Sequence, residues 1–319
     1  MPKKRVFLVT GGTGFIGSLL VRKLVNNNER VHLLVRKEAR FWRIQDILNR
    51  LTCHVSDLSD PRILTKIVHR INPSVIYHLA TYGAYSYQNE ADRIIKTNIL
   101  GTWNLLQATS NLDYELFVNT GSSSEYGFKQ SKMRETDILE PVSYYAVSKC
   151  SQTLLCYHIA REEKKPIVTL RPFSVYGPYE EPGRFIPTLL EALYLREKMN
   201  LVSPEISRDH IYVDDMVNAY LLIDKLKKYG GEIFNIGTGS QYSIKQVVQA
   251  AVKVTGKTAD FRWGKMKKRP WDTTRWVADI SKAHKLLGWA PRINLERGLG
   301  LAWKWFESNY NFYNKKRLN

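Results

Sequence analysis

Tyr145 and Lys149 stand four residues apart in Tyr145-Ala146-Val147-Ser148-Lys149, a spacing that sets both on one face of a helix. An ammonium beside a phenol stabilises the phenolate and draws the tyrosine down from its ordinary pKa of about 10, so that it can give and take a proton near neutrality. Tyr144 has no lysine four residues on, so the register selects Tyr145. Upstream, Thr120-Gly121-Ser122-Ser123-Ser124-Glu125-Tyr126-Gly127 follows a short apolar run, and its hydroxyls fall at a strand's carboxyl end, where one of them can bind a reacting oxygen. Glu125 has no evident task in this loop and reads as a solvated surface charge.

The partner of this proton machinery lies at the other end of the chain. Thr10-Gly11-Gly12-Thr13-Gly14-Phe15-Ile16-Gly17 follows the apolar run Val6 to Val9 and leads into the helical pattern Leu19, Leu20, Lys23, Leu24. That strand, turn and helix order suits a dinucleotide. Gly11, Gly14 and Gly17 let the turn tighten, the backbone approach a pyrophosphate and the helix pack on its strand, while the helix start offers free N–H groups to phosphate.

These two sites need a scaffold, and the apolar runs supply one. Val6 to Val9, Val31 to Val35, Val75 to Leu79, Leu116 to Val118 and Ile167 to Leu170 are short and non-alternating, as strands buried on both faces are. Helical patterns separate them, which predicts an α/β fold with a doubly wound parallel (Rossmann) sheet. Beyond Tyr176 prolines and glycines break the rhythm, so residues 1–176 are read as the dinucleotide domain, with strand and helix returns from later segments, and 177–319 as mainly a smaller substrate-binding lobe.

The 319-residue chain has no apolar stretch of membrane length and no apolar leader, so a cytoplasmic enzyme is expected, with no membrane partner. Its net charge of +18 is spread along the sequence, with clusters at Lys3 to Arg5, Lys265 to Arg269 and Lys315 to Arg317. No nucleic-acid module accompanies it, so the spread reads as solvated surface, the cluster ending in Arg269 excepted, and no nucleic-acid partner is expected. Cys53, Cys150 and Cys156 lack metal-ligand spacing and read as buried, reduced thiols; no metal site is expected.

With these motifs in place the chain resembles the extended short-chain dehydrogenase/reductase family, in its branch of nucleotide-sugar epimerases, dehydratases and reductases. The resemblance runs through nearly the whole sequence: the glycine turn, Asp57-Leu58, His78-Leu79-Ala80, Asn98 before Gly101-Thr102, the serine loop, Tyr-x-x-x-Lys, Arg171-Pro172-Phe173-Ser174-Val175-Tyr176-Gly177-Pro178, and Arg208-Asp209 ahead of Val213 and Asp215. It implies that Ser122 holds the sugar carbonyl, that Tyr145 is the acid/base, and that Lys149 also grips the nicotinamide ribose. It implies a cofactor bed of Gly11, Thr13, Gly14, Phe15, Ile16, Gly17, Arg36, Lys37, Asp57, Leu58, Leu79, Ala80, Thr81, Asn98, Tyr145, Lys149 and Phe173. Asn98 is either a helix pin or a proton relay. Tyr82, Tyr85, Ser123, Ser124 and Ser174 fall where such enzymes meet the sugar, and Arg208 and Arg269 where they meet the diphosphate, although Arg269-Pro270-Trp271-Asp272 departs from the usual Arg-x-Gly-Asp. The family also implies a homodimer formed by helices near 98–109 and 145–163.

Two comparisons narrow the reaction. Sugar 4,6-dehydratases of this family carry Asp-Glu directly after the Ser122 position, whereas this chain has Ser123 and Ser124, which lack the acidity and basicity for that elimination. After the second strand an NAD site would place Asp or Glu, but the sequence reads Val35-Arg36-Lys37 with Arg40 close behind, which points to a 2′-phosphate and NADP(H), with NAD(H) possible. The loop Ala80-Thr81-Tyr82-Gly83-Ala84-Tyr85 resembles those of CDP-abequose and CDP-paratose synthases, though its tyrosines are equally packing aromatics. The expected activity is therefore NADPH-dependent reduction of a nucleotide-linked 4-keto-6-deoxyhexose. The alternatives are a nucleotide-sugar epimerase working through a transient 4-keto sugar with bound NAD, and a noncatalytic NADP-binding regulator.

Overall fold

A computed structural model describes residues 4–267, 269 and 272–317, with side chains as far as Tyr313. Lys3, Lys268 and the side chains of the basic tail lie outside the described residues. Strands β1 (Val6–Thr10), β2 (Arg30–Val35), β3 (Thr52–Val55), β4 (Val75–His78), β5 (Leu116–Thr120) and β6 (Ile167–Pro172) form one sheet with a later strand, Ile233–Ile236. The order is Ile233–Ile236, β6, β5, β4, β1, β2, β3, and every ladder is parallel.

Successive strand residues point to opposite faces, so one apolar run feeds two cores. Phe7 and Val9 join the side where α1 (Phe15–Asn26) packs, while Leu8 between them joins the side covered by α2 (Pro61–Ile71), α4 (Gly101–Thr109) and α5 (Tyr144–Glu162). Leu116 and Val118 against Phe117 repeat the pattern on β5. At about 1.5–3 kcal/mol for each fully buried aliphatic or aromatic side chain, these two layers supply the main drive to fold. The smaller lobe has its own core, in which α6 (Phe185–Leu195), Ile244–Thr255 and the last helix, Leu295–Arg317, meet through Leu189, Leu193, Val247, Leu299 and Phe306.

Two strands escape the apolar-run reading. β3 is a sheet edge whose residues, Thr-Cys-His-Val, are mostly exposed, so Cys53 is an exposed thiol and not a buried one. Ile233–Ile236 carries a buried polar residue, Asn235, which binds Tyr126 and Met133 across the sheet end.

Candidate active site

The glycine turn is built by close approach. A Cβ on Gly17 would lie 2.2 Å from the Gly11 carbonyl oxygen, and one on Gly11, whose φ is +70°, would lie 2.6 Å from the Ala80 nitrogen. Gly14 caps α1 without any side-chain hydrogen bond, and no acid stands in that helix's first turn. Free N–H groups and the positive helix end thus face the sheet's carboxyl edge, which fits a dinucleotide pyrophosphate.

A neutral proton chain joins this turn to the next loop. Thr102 donates its hydroxyl to the Asn98 carbonyl at 2.6 Å, so it must accept from His78 Nε2 at 2.9 Å. His78 Nδ1 then accepts from Thr10 Oγ1 at 2.7 Å, and Thr10 Oγ1 accepts from the Ala80 amide. Burial pulls His78 down to about 3, consistent with this neutral tautomer. Asn98 lies in a single π-turn, Lys96–Leu100, between α3 (Ala91–Ile95) and α4. Its amide is fully engaged: it donates to the Tyr82 carbonyl and Ser148 Oγ at 2.8 Å each and accepts from the Tyr82 amide and Thr81. Asn98 therefore pins the 80–82 loop to α5.

Ser122 and Tyr145 come together, with the serine hydroxyl close enough to act on the phenol. Burial pushes Tyr145 up to about 12, with the Ser122 contact opposing the rise. The expected phenolate stabilisation is not the arrangement present: Lys149, almost fully buried, donates to the Thr120 carbonyl and to Gln152 Oε1 at 2.6 Å. Burial draws the Lys149 ammonium down to about 8, with the charge of Glu125 opposing. Gln152 in turn donates to Asn119 at 2.7 Å, which anchors the lysine from beneath. Tyr144 is 65% exposed, in keeping with the register argument.

Glu125 is not a surface charge. It has no exposed area, its Oε1 accepts from the Ser122 amide at 2.7 Å and from Thr153, and its Oε2 accepts from Arg171 at 2.8 Å. A buried carboxylate beside the only guanidinium at the end of β6 is the lowest-cost way to keep both charges inside. Arg171, ending an otherwise apolar strand, was the available signal.

The substrate side is assembled from distant segments. Trp276 Nε1 donates to Ser123 Oγ at 3.0 Å, while the Ser124 amide donates to Ser122 Oγ at 3.1 Å. Phe173 is buried with Tyr126, Met133 and Trp276, and Ser174 is half-buried beside Asp209. Tyr82 is buried, with its hydroxyl on Glu90 at 2.6 Å and Arg93 over its ring, so it packs the loop. Tyr85, stacked on Tyr87, lies in the electrostatic reach of Tyr145. Arg208 lies over Trp276 and near Asp272 at 3.6 Å; burial lowers it to about 10, Asp272 opposes, and Arg269 and Arg184 lower it further. A half-buried guanidinium with two further arginines in its electrostatic reach and one carboxylate beside it leaves this side positive, as an anion site is. Arg269 itself is exposed, with its amide on Asp272, and Pro270 and Trp271 of its altered loop lie outside the described residues. Among the described residues no three His, Cys, Asp or Glu side chains are grouped to hold a metal, and no helix is long and apolar enough to cross a membrane.

The family model of GDP-mannose 4,6 dehydratase matches residues 8–301. The chain belongs to this family. It is 27% identical to the dTDP-glucose 4,6-dehydratase of Haemophilus influenzae, over 95% of this chain and 98% of that one. The UDP-glucose 4-epimerase of Thermotoga maritima, solved with UDP-glucose, superposes with a TM-score of 0.87 at 28% identity, covering 95% and 99% of the two chains. The UDP-glucuronic acid 4-epimerase of Bacillus cereus, solved with UDP-glucuronic acid and NAD, gives 0.84 at 28% identity and the same coverage. The protein is thus an NAD(P)-dependent nucleotide-sugar enzyme of the epimerase/dehydratase family.

One expectation falls. The preference for NADP(H) read from Arg36 and Lys37 is overturned by the relatives, since the Bacillus cereus enzyme holds NAD and so does a further relative at 29% identity. The structure supplies a physical reason. Arg36 and Lys37 are exposed, Glu38 follows them in the same turn, and Arg36 sits in the field of the Asp57 carboxylate. A guanidinium so placed can stack on adenine without a phosphate to pair with, and two nearby carboxylates disfavour one.

Proposed function

We propose that the enzyme inverts C4 of a nucleotide-linked hexose through a transient 4-keto sugar, with NAD held throughout. The observation that carries this reading is the Ser122–Tyr145 pair beside Lys149, with Ser123 and Ser124 where an elimination needs an acid and a base. When bound, NAD supplies the reversible hydride acceptor for C4. Tyr145 takes the proton of the C4 hydroxyl as the ketone forms and returns it as the ketone is reduced. Ser122 holds the C4 oxygen against Tyr145 in both directions. Lys149, carried as an ammonium below about pH 8, favours the phenolate once it swings from Thr120 toward the ribose side. Arg208, with Arg269, neutralises the diphosphate, and Tyr85 borders the sugar. Because oxidation and reduction fall on the same carbon, no net reductant is consumed.

Relatives acting on UDP-glucose, UDP-glucuronate and dTDP-glucose set the substrates to try first. The purified enzyme should interconvert one C4-epimeric pair without added cofactor, and acid-released dinucleotide should be NAD. Tyr145→Phe should lower turnover about 100-fold or more with NAD retained, while Tyr144→Phe leaves it within about twofold. Stoichiometric consumption of an added reduced cofactor would sink the reading. The outer faces of α4 and α5 carry Trp103, Val147, Leu154 and Tyr157, each more than 40% exposed, which supports a homodimer through these helices.

A further inference from the structure

Glu125 is fully buried beneath the serine loop, and its environment shows what it holds there. Its carboxylate receives four donors: the Ser122 amide, Thr153 Oγ1 and two nitrogens of Arg171. The Ser122 amide and the Ser122 side chain together cap the short turn Ser123–Tyr126, so Glu125 fixes the backbone from which the Ser122 hydroxyl reaches Tyr145. Arg171 also donates to Tyr126 at 3.0 Å, and Tyr126 to Asn235 at 2.7 Å, so the carboxylate is tied to the far end of the sheet.

The same charge acts on Lys149 across the buried space under the loop. The titratable groups that face Lys149 are Glu125 from the serine loop, Cys156 from its own helix and His78 from β4, and His78 is neutral. Among the described residues Glu125 supplies the carboxylate that opposes the burial of the ammonium; burial pushes Glu125 itself up, and Arg171, the Ser122 amide and Lys149 act to keep it charged. In a medium of low effective dielectric such a pair interacts far more strongly than at the surface.

We propose that Glu125 is a positioning residue of the acid–base centre, holding Ser122 through its amide and keeping Lys149 in its ammonium form through buried charge. This rests on the roles given to Ser122, Tyr145 and Lys149 above. Two functions on one side chain separate cleanly by substitution. Glu125→Gln keeps the shape and the contact to the Ser122 amide but loses the charge. Glu125→Asp keeps the charge but is too short to keep the grip on Ser122.

The test is the Lys149 titration, followed by the 13Cε shift of labelled lysine in the purified holoenzyme and assigned with Lys149→Arg. Glu125→Gln should lower the midpoint by about one pH unit, and should move the alkaline limb of kcat by the same amount. Glu125→Asp should leave the midpoint near that of the wild type while lowering kcat several-fold with KM little changed. Because Glu125→Gln leaves Arg171 buried without its ion-pair partner and so endangers the fold, the pair Glu125→Val with Arg171→Met gives a second, apolar replacement in which the midpoint should again fall. A midpoint that stays put in both charge-free variants overturns the proposal. Since the resonance is read without substrate, an enzyme that failed to epimerise any sugar would refute the proposed reaction and leave this measurement standing.

Discussion

The two sides of the cleft are built on different principles. On the cofactor side, the contacts around the phosphate turn are short and made by backbone: Gly17 against Gly11, Gly11 against Ala80 and the uncapped start of α1. On the substrate side each element is borrowed from far along the chain. Trp276 reaches Ser123, Arg171 reaches Glu125, and Arg43 donates to the Tyr179 carbonyl at 2.8 Å and pairs with Glu181, clamping the smaller lobe beside the glycine turn. Backbone contacts tolerate no substitution, whereas side-chain contacts can be exchanged one at a time. A family can thus keep one cofactor bed while it varies the sugar and the reaction.

Gly17→Ala is the severest test of that contrast. Its new Cβ would meet Gly11 O at 2.2 Å, Gly11 C at 2.9 Å and Gly12 Cα at 3.0 Å, all main chain with nowhere to go. Overpacking of this kind costs about 1–3 kcal/mol or more, and it falls on the phosphate turn itself. Retained dinucleotide, released by acid and quantified by chromatography, should drop at least about tenfold. Full occupancy in the variant would show that the turn is less constrained than its geometry says.

Arg208→Met comes next and acts on the other side. It keeps an unbranched apolar stem and removes the buried guanidinium that lies over Trp276, so KM for the nucleotide sugar should rise about 10- to 100-fold with kcat within a few-fold. NAD occupancy should not change. A loss of cofactor in place of substrate affinity would mean that the two sides are not separable at Arg208.

The same contrast explains what could be read in advance. The parallel sheet and the smaller lobe were legible because each is a pattern of period or residue type, and the glycine turn and the Tyr145–Lys149 spacing are local patterns of the same kind. Glu125 was misread because its meaning depends on Arg171, 46 residues later, and nothing local distinguishes a buried carboxylate from a solvated one. Trp276, 153 residues from Ser123, left no trace at all, since an indole donor is defined only by what it meets. β3 left no apolar run because an edge strand need not be apolar. The Arg36 error differs in kind: the residue follows β2 as read, but its charge was assigned to a phosphate when it already lies in the field of Asp57.

A smaller effect is expected at Trp276, where the lost group is a single neutral donor. Trp276→Phe keeps a ring among Tyr126, Met133 and Phe173 but removes the N–H that fixes Ser123. One such hydrogen bond contributes about 1 kcal/mol, so kcat/KM should fall about fivefold, with the alkaline limb of the pH profile unmoved because Lys149 and Glu125 are untouched. A shift of that limb would mean that Trp276 supports the acid–base centre and not only the sugar side.

The least expected effect is the most discriminating for cofactor identity. Arg36 is exposed, its charge lies near Asp57, and exposed charge contacts contribute about 0–1 kcal/mol. If it only lies against adenine, Arg36→Ala should change NAD retention by less than about threefold and leave turnover alone, because the pyrophosphate is held by the turn and the start of α1. Equilibrium dialysis of the stripped enzyme with NAD would measure this directly. A loss of NAD affinity of tenfold or more would show that a side chain carries binding on the side of the cleft otherwise built from backbone, and the contrast between the two halves would have to be redrawn at β2.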